Sequence, residues 1–212
     1  MTFKEQIPRI YPSDEEMNSR SVKFSDLKGF DGGLPDSYMP SAERILYNVI
    51  GFQPPAGEES GVVSPVGASA ARMSAIKISE GFNLGYCEAL PGKGPMMHNH
   101  DTNETFICMT GRWKASWENA DGSENFKMLE PLDVISFPPG AVRRFENVTE
   151  GPKDRYAVLM FVIAGNGPGA EFTSQAMSEI ENAGLNEIKI LEDESDKWSK
   201  PHTDPRDWES RY

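Results

Sequence analysis

Short apolar runs separated by glycine, proline and polar turns dominate the middle of the chain. The first run, 44–52, combines β-branched and aromatic residues and ends at a Gln-Pro-Pro turn. A later, long aromatic run is interrupted at Gly111, which indicates a strand that bends or turns there and continues. Strands are predicted at 44–52, 73–79, 82–90, 104–118, 124–130, 133–137, 142–148 and 155–165. Many short strands at this spacing predict an antiparallel sandwich or barrel.

Turn residues and alternation refine two of these strands. The turn from Pro138 to Gly140 comes before a strand in which alternation places Arg143 and Phe145 on one face. The run 155–165 is almost continuously apolar. It therefore predicts a strand that is buried on both faces or lies at a subunit interface.

The segments outside these strands have a different composition. Residues 1–42 are rich in proline, glycine, serine and charge and show no sustained period, so we expect an arm that lies across a sheet or a partner subunit. A glycine, serine and alanine-rich link at 56–71 predicts a mobile loop that could cover a pocket.

A glycine-rich break at 165–169 separates the strands from a predicted helix. Thr173 or Ser174 is placed to cap this helix, which runs to about Ala183 and ends at Gly184. One more short strand is predicted after it. The resulting organisation is an arm at 1–42, a β-barrel at 43–170, and a C-terminal helix and tail at 171–212 that include the short strand at 187–191.

Composition and charge limit the partners and the compartment. The 212 residues include 33 acidic and 21 basic side chains, and the net charge of −12 disfavours nucleic acid and anionic membranes as partners. Two cysteines, Cys87 and Cys108, provide no disulfide framework. The N-terminal residues lack the apolar core of a signal peptide, and no apolar run is long enough to cross a bilayer. We therefore expect a cytoplasmic protein.

The stretch from Gly92 to Gly111 carries the candidate chemistry. Side chains of a strand alternate between its faces, so His98 and His100 point the same way. If the polar Asp-Thr-Asn segment folds the chain back, Glu104 faces the same point. Two neutral imidazoles and a carboxylate suit Fe, Mn, Ni or Zn, and three protein ligands leave positions open for water or substrate.

These residues resemble the first conserved motif of the cupin superfamily. Its fixed positions are all present, at Gly92, His98, His100, Glu104 and Gly111. The second cupin motif is matched in part, at Pro138, Gly140 and Asn147. Leu132 stands where the family has a glycine, and Arg143 stands where the family has its fourth metal ligand, a histidine. The resemblance implies an all-β, double-stranded β-helix fold, or jelly-roll barrel, over roughly residues 76–165.

Arg143 allows two interpretations. It can form a salt bridge, for example to Glu104, or its fork of donors can bind a substrate carboxylate or phosphate. A permanent cation beside a dication is electrostatically unfavourable unless an anion lies between them. The residue therefore indicates either an anionic ligand that bridges the two cations or a pocket that has lost its metal.

Three further side chains are candidates for the wall of the same pocket. Phe106 and Cys108 share parity with Glu104, and Phe145 shares a face with Arg143. Alternatively, Cys108 is a small apolar side chain buried in the core, as free cysteines commonly are. His202 lies in a polar tail, where no spacing positions it to replace the missing ligand.

Two functional hypotheses follow from the motif and the resemblance. The first is a metal-dependent enzyme, an oxygenase or a lyase or isomerase, that acts on a small anionic organic substrate. The alternative is a non-catalytic or regulatory cupin that binds a small anion. Cupins commonly pair through sheet faces or exchanged arms, so the resemblance and the arm at 1–42 also predict a homodimer. Fold alone does not select among these functions.

Overall fold

The computed structural model describes residues 7–52, 64–66, 73–185, 198–199 and 201–202. The strands are β1 Gly29–Phe30, β2 Ile45–Ile50, β3 Phe82–Ala89, β4 His98–His100, β5 Glu104–Cys108, β6 Trp113–Glu118, β7 Glu124–Leu129, β8 Val134–Phe137, β9 Arg143–Asn147, β10 Ala157–Ala164, β11 Ala170–Phe172 and β12 Trp198–Ser199. They form two antiparallel sheets that face each other, with seven strands in the order β12-β1-β2-β3-β10-β5-β8 and five in the order β11-β4-β9-β6-β7. The helices are α1 Asp14–Ser19 and α2 Ser174–Asn182, and short 3₁₀ turns lie at Phe24–Asp26 and Pro35–Tyr38.

The space between the sheets is filled by an aromatic core. Phe106 packs edge-on against Phe145, with ring centroids 4.7 Å apart, and Trp113 also packs edge-on against Phe145, at 5.9 Å. All three belong to the main cluster of buried residues. The predicted all-β, double-stranded β-helix fold is confirmed, and the long aromatic run divides at Gly111, whose φ is +72°.

The predicted strand at 73–79 is wrong. Ile76 forms only a single parallel bridge, with Ile50 at the end of β2. The Ser74 hydroxyl donates to the Ile76 carbonyl at 2.8 Å, and this local bond competes with strand pairing. Because β2 already pairs with β1 and β3, only its last residues leave an edge where this segment can dock.

The arm covers the outer face of the seven-stranded sheet of its own chain. Phe24 packs against Tyr47 and Tyr86, with centroid distances of 6.0 and 5.1 Å, and Leu27 is buried in the same cluster. The prediction that the arm lies across a sheet is therefore confirmed. Its strand β1 also joins that sheet between β2 and β12, so residues from both ends of the chain extend one layer.

The predicted C-terminal helix is confirmed as α2. Thr173 caps it by accepting a hydrogen bond from the Ala176 amide at 3.2 Å, and Gly184 follows it with φ of +72°. Ile180 is buried against the body of the protein. The strand predicted at 187–191, and the loop predicted at 56–71 apart from residues 64–66, lie outside the described residues. No helix in the described part of the chain is long and apolar enough to cross a membrane.

One crossing between the sheets brings the motif residues together. His98 and His100 lie on β4 of the five-stranded sheet, whereas Glu104 opens β5 of the seven-stranded sheet. Asp101 and Asn103 fix the crossing, because the Asp101 carboxylate accepts from the Gly169 amide and the Asn103 amide donates to the Phe137 carbonyl. The segment therefore carries the chain across the barrel while both ends keep their side chains directed inward.

A close backbone approach fixes the segment that precedes the histidines, between β3 and β4. A Cβ atom on Gly94 would overlap the carbonyl oxygen of Phe145, whereas one on Gly167 would meet nothing within 4 Å. We therefore expect Gly94→Ala to lower the free energy of unfolding by about 3 kcal/mol and Gly167→Ala to change it by less than about 0.5 kcal/mol. Urea unfolding of the two variants measures this difference, and equal stabilities would contradict the close approach.

Candidate metal centre

His98, His100 and Glu104 form one buried cluster. Each offers a ligand atom, and these atoms all lie within 4.8 Å of one another. The three residues are 8%, 3% and 3% exposed. The ring of His98 bonds through Nδ1 to the Met96 carbonyl at 2.8 Å. Because a carbonyl can only accept, Nδ1 carries the hydrogen and Nε2 keeps the lone pair that a metal needs.

Both imidazoles are held neutral. Burial and the nearby Arg143 charge lower the pKa of His98 from 6.5 to about 3. The same two causes, in the same order, lower the pKa of His100 well below its ordinary value. A histidine must lose its proton before it can bind a metal, so this environment keeps both rings ready to act as ligands at neutral pH.

Arg143 lies against Glu104 in a buried ion pair. Its Nε and Nη2 donate to the same carboxylate oxygen, Oε2, at 3.0 and 2.8 Å, and its Nη1 donates to the Ala141 carbonyl at 3.0 Å. The interpretation of Arg143 as a salt-bridge partner of Glu104 is confirmed. Burial raises the pKa of Glu104, and the Arg143 guanidinium offsets part of this rise through its charge and its hydrogen bonds.

The donor set fits a divalent metal held by three protein ligands. The second carboxylate oxygen of Glu104, Oε1, accepts no hydrogen bond from the described residues and keeps its lone pairs. The cluster therefore offers two neutral nitrogens and one carboxylate, a set that binds first-row divalent metals. The Arg143 charge cancels the Glu104 charge, so a dication at this site also needs an exogenous anion or water.

A small cavity adjoins the cluster. Its volume is about 30 Å³, and its wall includes the three candidate ligands together with Arg44. Aromatic and aliphatic side chains complete the wall, among them Leu46, Phe145, Phe161 and Phe172. The space is that of roughly two water molecules, which is enough for one small reactive group beside the ligands.

The other sequence-predicted site residues lie at different depths. Phe145 lines the cavity, but Phe106, Cys108 and Arg143 are not among the described residues of its wall. Phe106 is wholly buried behind Phe145. Their roles in binding substrate stay predictions. His202 lies away from the cluster, because its ring stacks on Tyr156 at a centroid distance of 4.4 Å.

Cys108 occupies an apolar, structural environment. Its thiol lies 3.7 Å from the Thr110 carbonyl and 3.6 Å from the Gly111 carbonyl, and burial raises its pKa to about 12. Cys87 and Cys108 flank Leu159 of β10 in register. Two strand spacings separate them by roughly 10 Å, which is beyond disulfide reach.

Sequence reasoning missed a second buried ion pair at the cavity. Arg44 bonds Asp36 through Nη1 at 3.1 Å and Nη2 at 2.9 Å, and Asp36 also accepts from the Met96 amide at 2.9 Å. The available signal was an arginine directly before a strongly apolar strand, where a charge needs a partner. That partner comes from the 3₁₀ turn Pro35–Tyr38 in the arm, a contact that no local pattern predicts.

The low pKa of His98 predicts how the free energy of unfolding depends on pH. In the metal-free protein His98 stays neutral when folded but takes up a proton near pH 6.5 when unfolded, so its contribution to stability is complete above pH 6.5 and is lost as the pH falls toward 3. When the pH falls from 7 to 5, the free energy of unfolding should decrease in both proteins. We expect this decrease to be about 2 kcal/mol smaller in His98→Gln than in the wild type.

Urea unfolding at the two pH values tests this expectation. His202→Gln is the matched control, since it leaves both cavity histidines in place and should keep the wild-type loss. An equal pH dependence in wild type and His98→Gln would show that the ring of His98 is not held neutral.

Comparisons with known proteins concern the fold. No protein-family model and no curated protein matches the chain. Among solved structures, the chain is similar to peruvianin-I, a cysteine peptidase from Thevetia peruviana latex, at 15% identity and a TM-score of 0.49 over 81% of this chain and 88% of that one. It is also similar to an oxalate oxidase, at 13% identity and a TM-score of 0.43 over 76% and 73% of the two chains.

A third similar structure is a cupin 2 conserved barrel domain protein from Salinispora arenicola. Its identity is 21% and its TM-score is 0.33, over 50% of this chain and 75% of that one. The arrangement of two facing antiparallel sheets described above is a double-stranded β-helix.

Proposed function

We propose that this chain, which has the double-stranded β-helix fold of cupins, is a metal-dependent enzyme that acts on a small anionic organic molecule. The observation that carries the proposal is the convergence of His98, His100 and Glu104, whose ligand atoms lie within 4.8 Å of one another beside a cavity. Three protein ligands leave coordination positions for substrate and water.

Each residue of the cluster has a defined part in this function. A bound metal supplies a Lewis acid or, if it is iron, a centre where substrate and O₂ meet. His98 and His100 contribute neutral nitrogens, and the Met96 carbonyl fixes the ring of His98. Arg143 fixes the Glu104 carboxylate through two hydrogen bonds. The apolar wall limits water around the reacting group.

The reaction belongs to one of two classes, an oxygenation or a lyase or isomerase reaction. Both need open positions on the metal and an anionic group that the metal can hold. The identity of the metal separates them, because oxygenation with O₂ needs a redox-active ion such as iron, whereas Lewis acid chemistry also proceeds on zinc.

A second candidate function is metal-free binding of a small anion. The buried pair between Arg143 and Glu104 favours it, because the pair already neutralises the cluster without a metal. In this case the cavity would capture an anion without converting it. The two functions therefore differ first in whether the protein holds a metal.

Elemental analysis of the purified protein, made without added metal and without a histidine tag, tests the proposal. We expect close to one equivalent of iron, manganese, nickel or zinc in the wild type. His98→Ala removes a ligand nitrogen and Glu104→Gln removes the negative charge of the third ligand, so each should lower metal affinity at least about tenfold. His202→Ala is the matched control and should keep the wild-type metal content.

Two results of the metal analysis would contradict the proposal. A folded wild-type protein that takes up no metal, even after reconstitution with Fe(II) or Mn(II), would contradict the metalloenzyme and leave the metal-free binding protein. Equal metal content in the wild type and in folded His98→Ala would show that the metal lies elsewhere.

A further inference from the structure

We propose that Arg44, rather than Arg143, binds the anionic group of the ligand, and that this group is a carboxylate. The inference deepens the proposed function and rests on it, since it places the carboxylate between Arg44 and the metal cluster. It assigns a ligand-binding role to a residue that stands outside both cupin motifs.

The positions of the two arginines distinguish them. Arg44 lines the cavity together with His98, His100 and Glu104, whereas Arg143 is wholly buried and is not among the described residues of the wall. The charge of Arg44 also contributes to lowering the pKa of His98, so the two side chains lie within electrostatic range. A ligand in the cavity therefore meets Arg44 first.

The unused donors of Arg44 form a fork. Its Nη1 donates to Asp36 and to the Ala42 carbonyl, and its Nη2 donates once, to Asp36. The Nε hydrogen and the second Nη2 hydrogen have no acceptor among the described residues. These two hydrogens lie parallel on one edge of the planar guanidinium, which is the geometry that binds the two oxygens of a carboxylate.

Arg143 shows what happens when the same edge is already occupied. Its Nε and Nη2 both donate to Oε2 of Glu104, at 3.0 and 2.8 Å. No equivalent pair of parallel donors remains on Arg143 for a ligand. The two arginines therefore have different functions, since Arg143 orients a candidate metal ligand and Arg44 keeps its edge available.

A continuous hydrogen-bond path fixes Arg44 relative to the cluster. Asp36 is wholly buried, binds Arg44 and accepts from the Met96 amide, and the Met96 carbonyl in turn binds the ring of His98. The guanidinium is therefore held before any ligand arrives, which reduces the ordering cost of binding. Because Asp36 belongs to the arm, the arm takes part in building the site.

The size and charge of the cavity select the class of ligand. The free edge of Arg44 matches the flat pair of oxygens of a carboxylate, and the cavity of about 30 Å³ beside it suits a small ligand. The side chains of Leu46, Phe161 and Phe172 suit a short apolar remainder. Because Arg143 neutralises Glu104, the charge of Arg44 attracts the carboxylate, and a bound metal would strengthen its binding.

The test measures acetate binding to the protein loaded with the metal that elemental analysis identifies. Acetamide is the neutral probe of the same shape, and isothermal titration gives both dissociation constants. We expect acetate to bind the wild type at least tenfold more tightly than acetamide. Arg44→Lys should keep the metal content but bind acetate at least tenfold more weakly, because a lysine lacks the planar fork.

Two further variants guard against misfolding and unspecific charge effects. Asp36→Asn with Arg44→Gln replaces the buried ion pair by a neutral pair and should also lose acetate binding while the protein keeps its near-ultraviolet circular dichroism. Arg112→Lys makes the same exchange at a half-exposed arginine and should bind acetate as the wild type does.

The outcomes separate this inference from the proposed function. Unchanged acetate binding in Arg44→Lys at unchanged metal content overturns the role of Arg44 and leaves the metal site standing. If the wild type holds no metal, the proposed function fails, and the same titration on the metal-free protein then decides Arg44 alone. If the metal-free wild type binds acetate and metal-free Arg44→Lys binds it at least tenfold more weakly, Arg44 keeps its role as the carboxylate-binding residue. If neither the metal-free wild type nor metal-free Arg44→Lys binds acetate, that role is overturned.

Discussion

The buried pair between Glu104 and Arg143 is the interaction on which the rest of the site depends. Glu104 opens β5 of the seven-stranded sheet, and Arg143 opens β9 of the five-stranded sheet, so the pair joins the two layers across the core. Removing one partner would leave an uncompensated buried charge, at a cost of about 3–5 kcal/mol. The same contact sets the direction of the carboxylate that faces the two histidines.

The second buried pair, between Arg44 and Asp36, connects the arm to the same cavity. The 3₁₀ turn at Pro35–Tyr38 places a carboxylate where it binds both Arg44 and the backbone beside His98. Two ion pairs therefore flank one small cavity, and each has one member on the cavity wall, Glu104 in one pair and Arg44 in the other. The wall carries a negative and a positive group whose partners lie behind it.

Leu132 has a backbone conformation that is rare for a residue with a side chain. Its φ is +77°, which favours glycine, the residue that the cupin motif it resembles has at this position. Asn147, which falls on the motif, donates to the Ala89 carbonyl at 2.8 Å inside the barrel. Arg143 opens β9, and its guanidinium binds the Glu104 carboxylate across the core.

Local pattern was sufficient for most of the strands and for the cluster of candidate metal ligands, because parity along a strand is a short-range property. It predicted the convergence of His98, His100 and Glu104, and it failed at 73–79, where strand formation depended on a free sheet edge. The sequence left the partner of Arg143 open between Glu104 and a ligand anion and indicated no partner for Arg44, so the tertiary structure decided both. Glu104 and Arg143 are 39 residues apart, and Asp36 and Met96 are 60 apart, so these contacts arise from packing of distant segments. No periodicity in the sequence encodes such pairings, since they follow from how the two sheets and the arm close around the cavity.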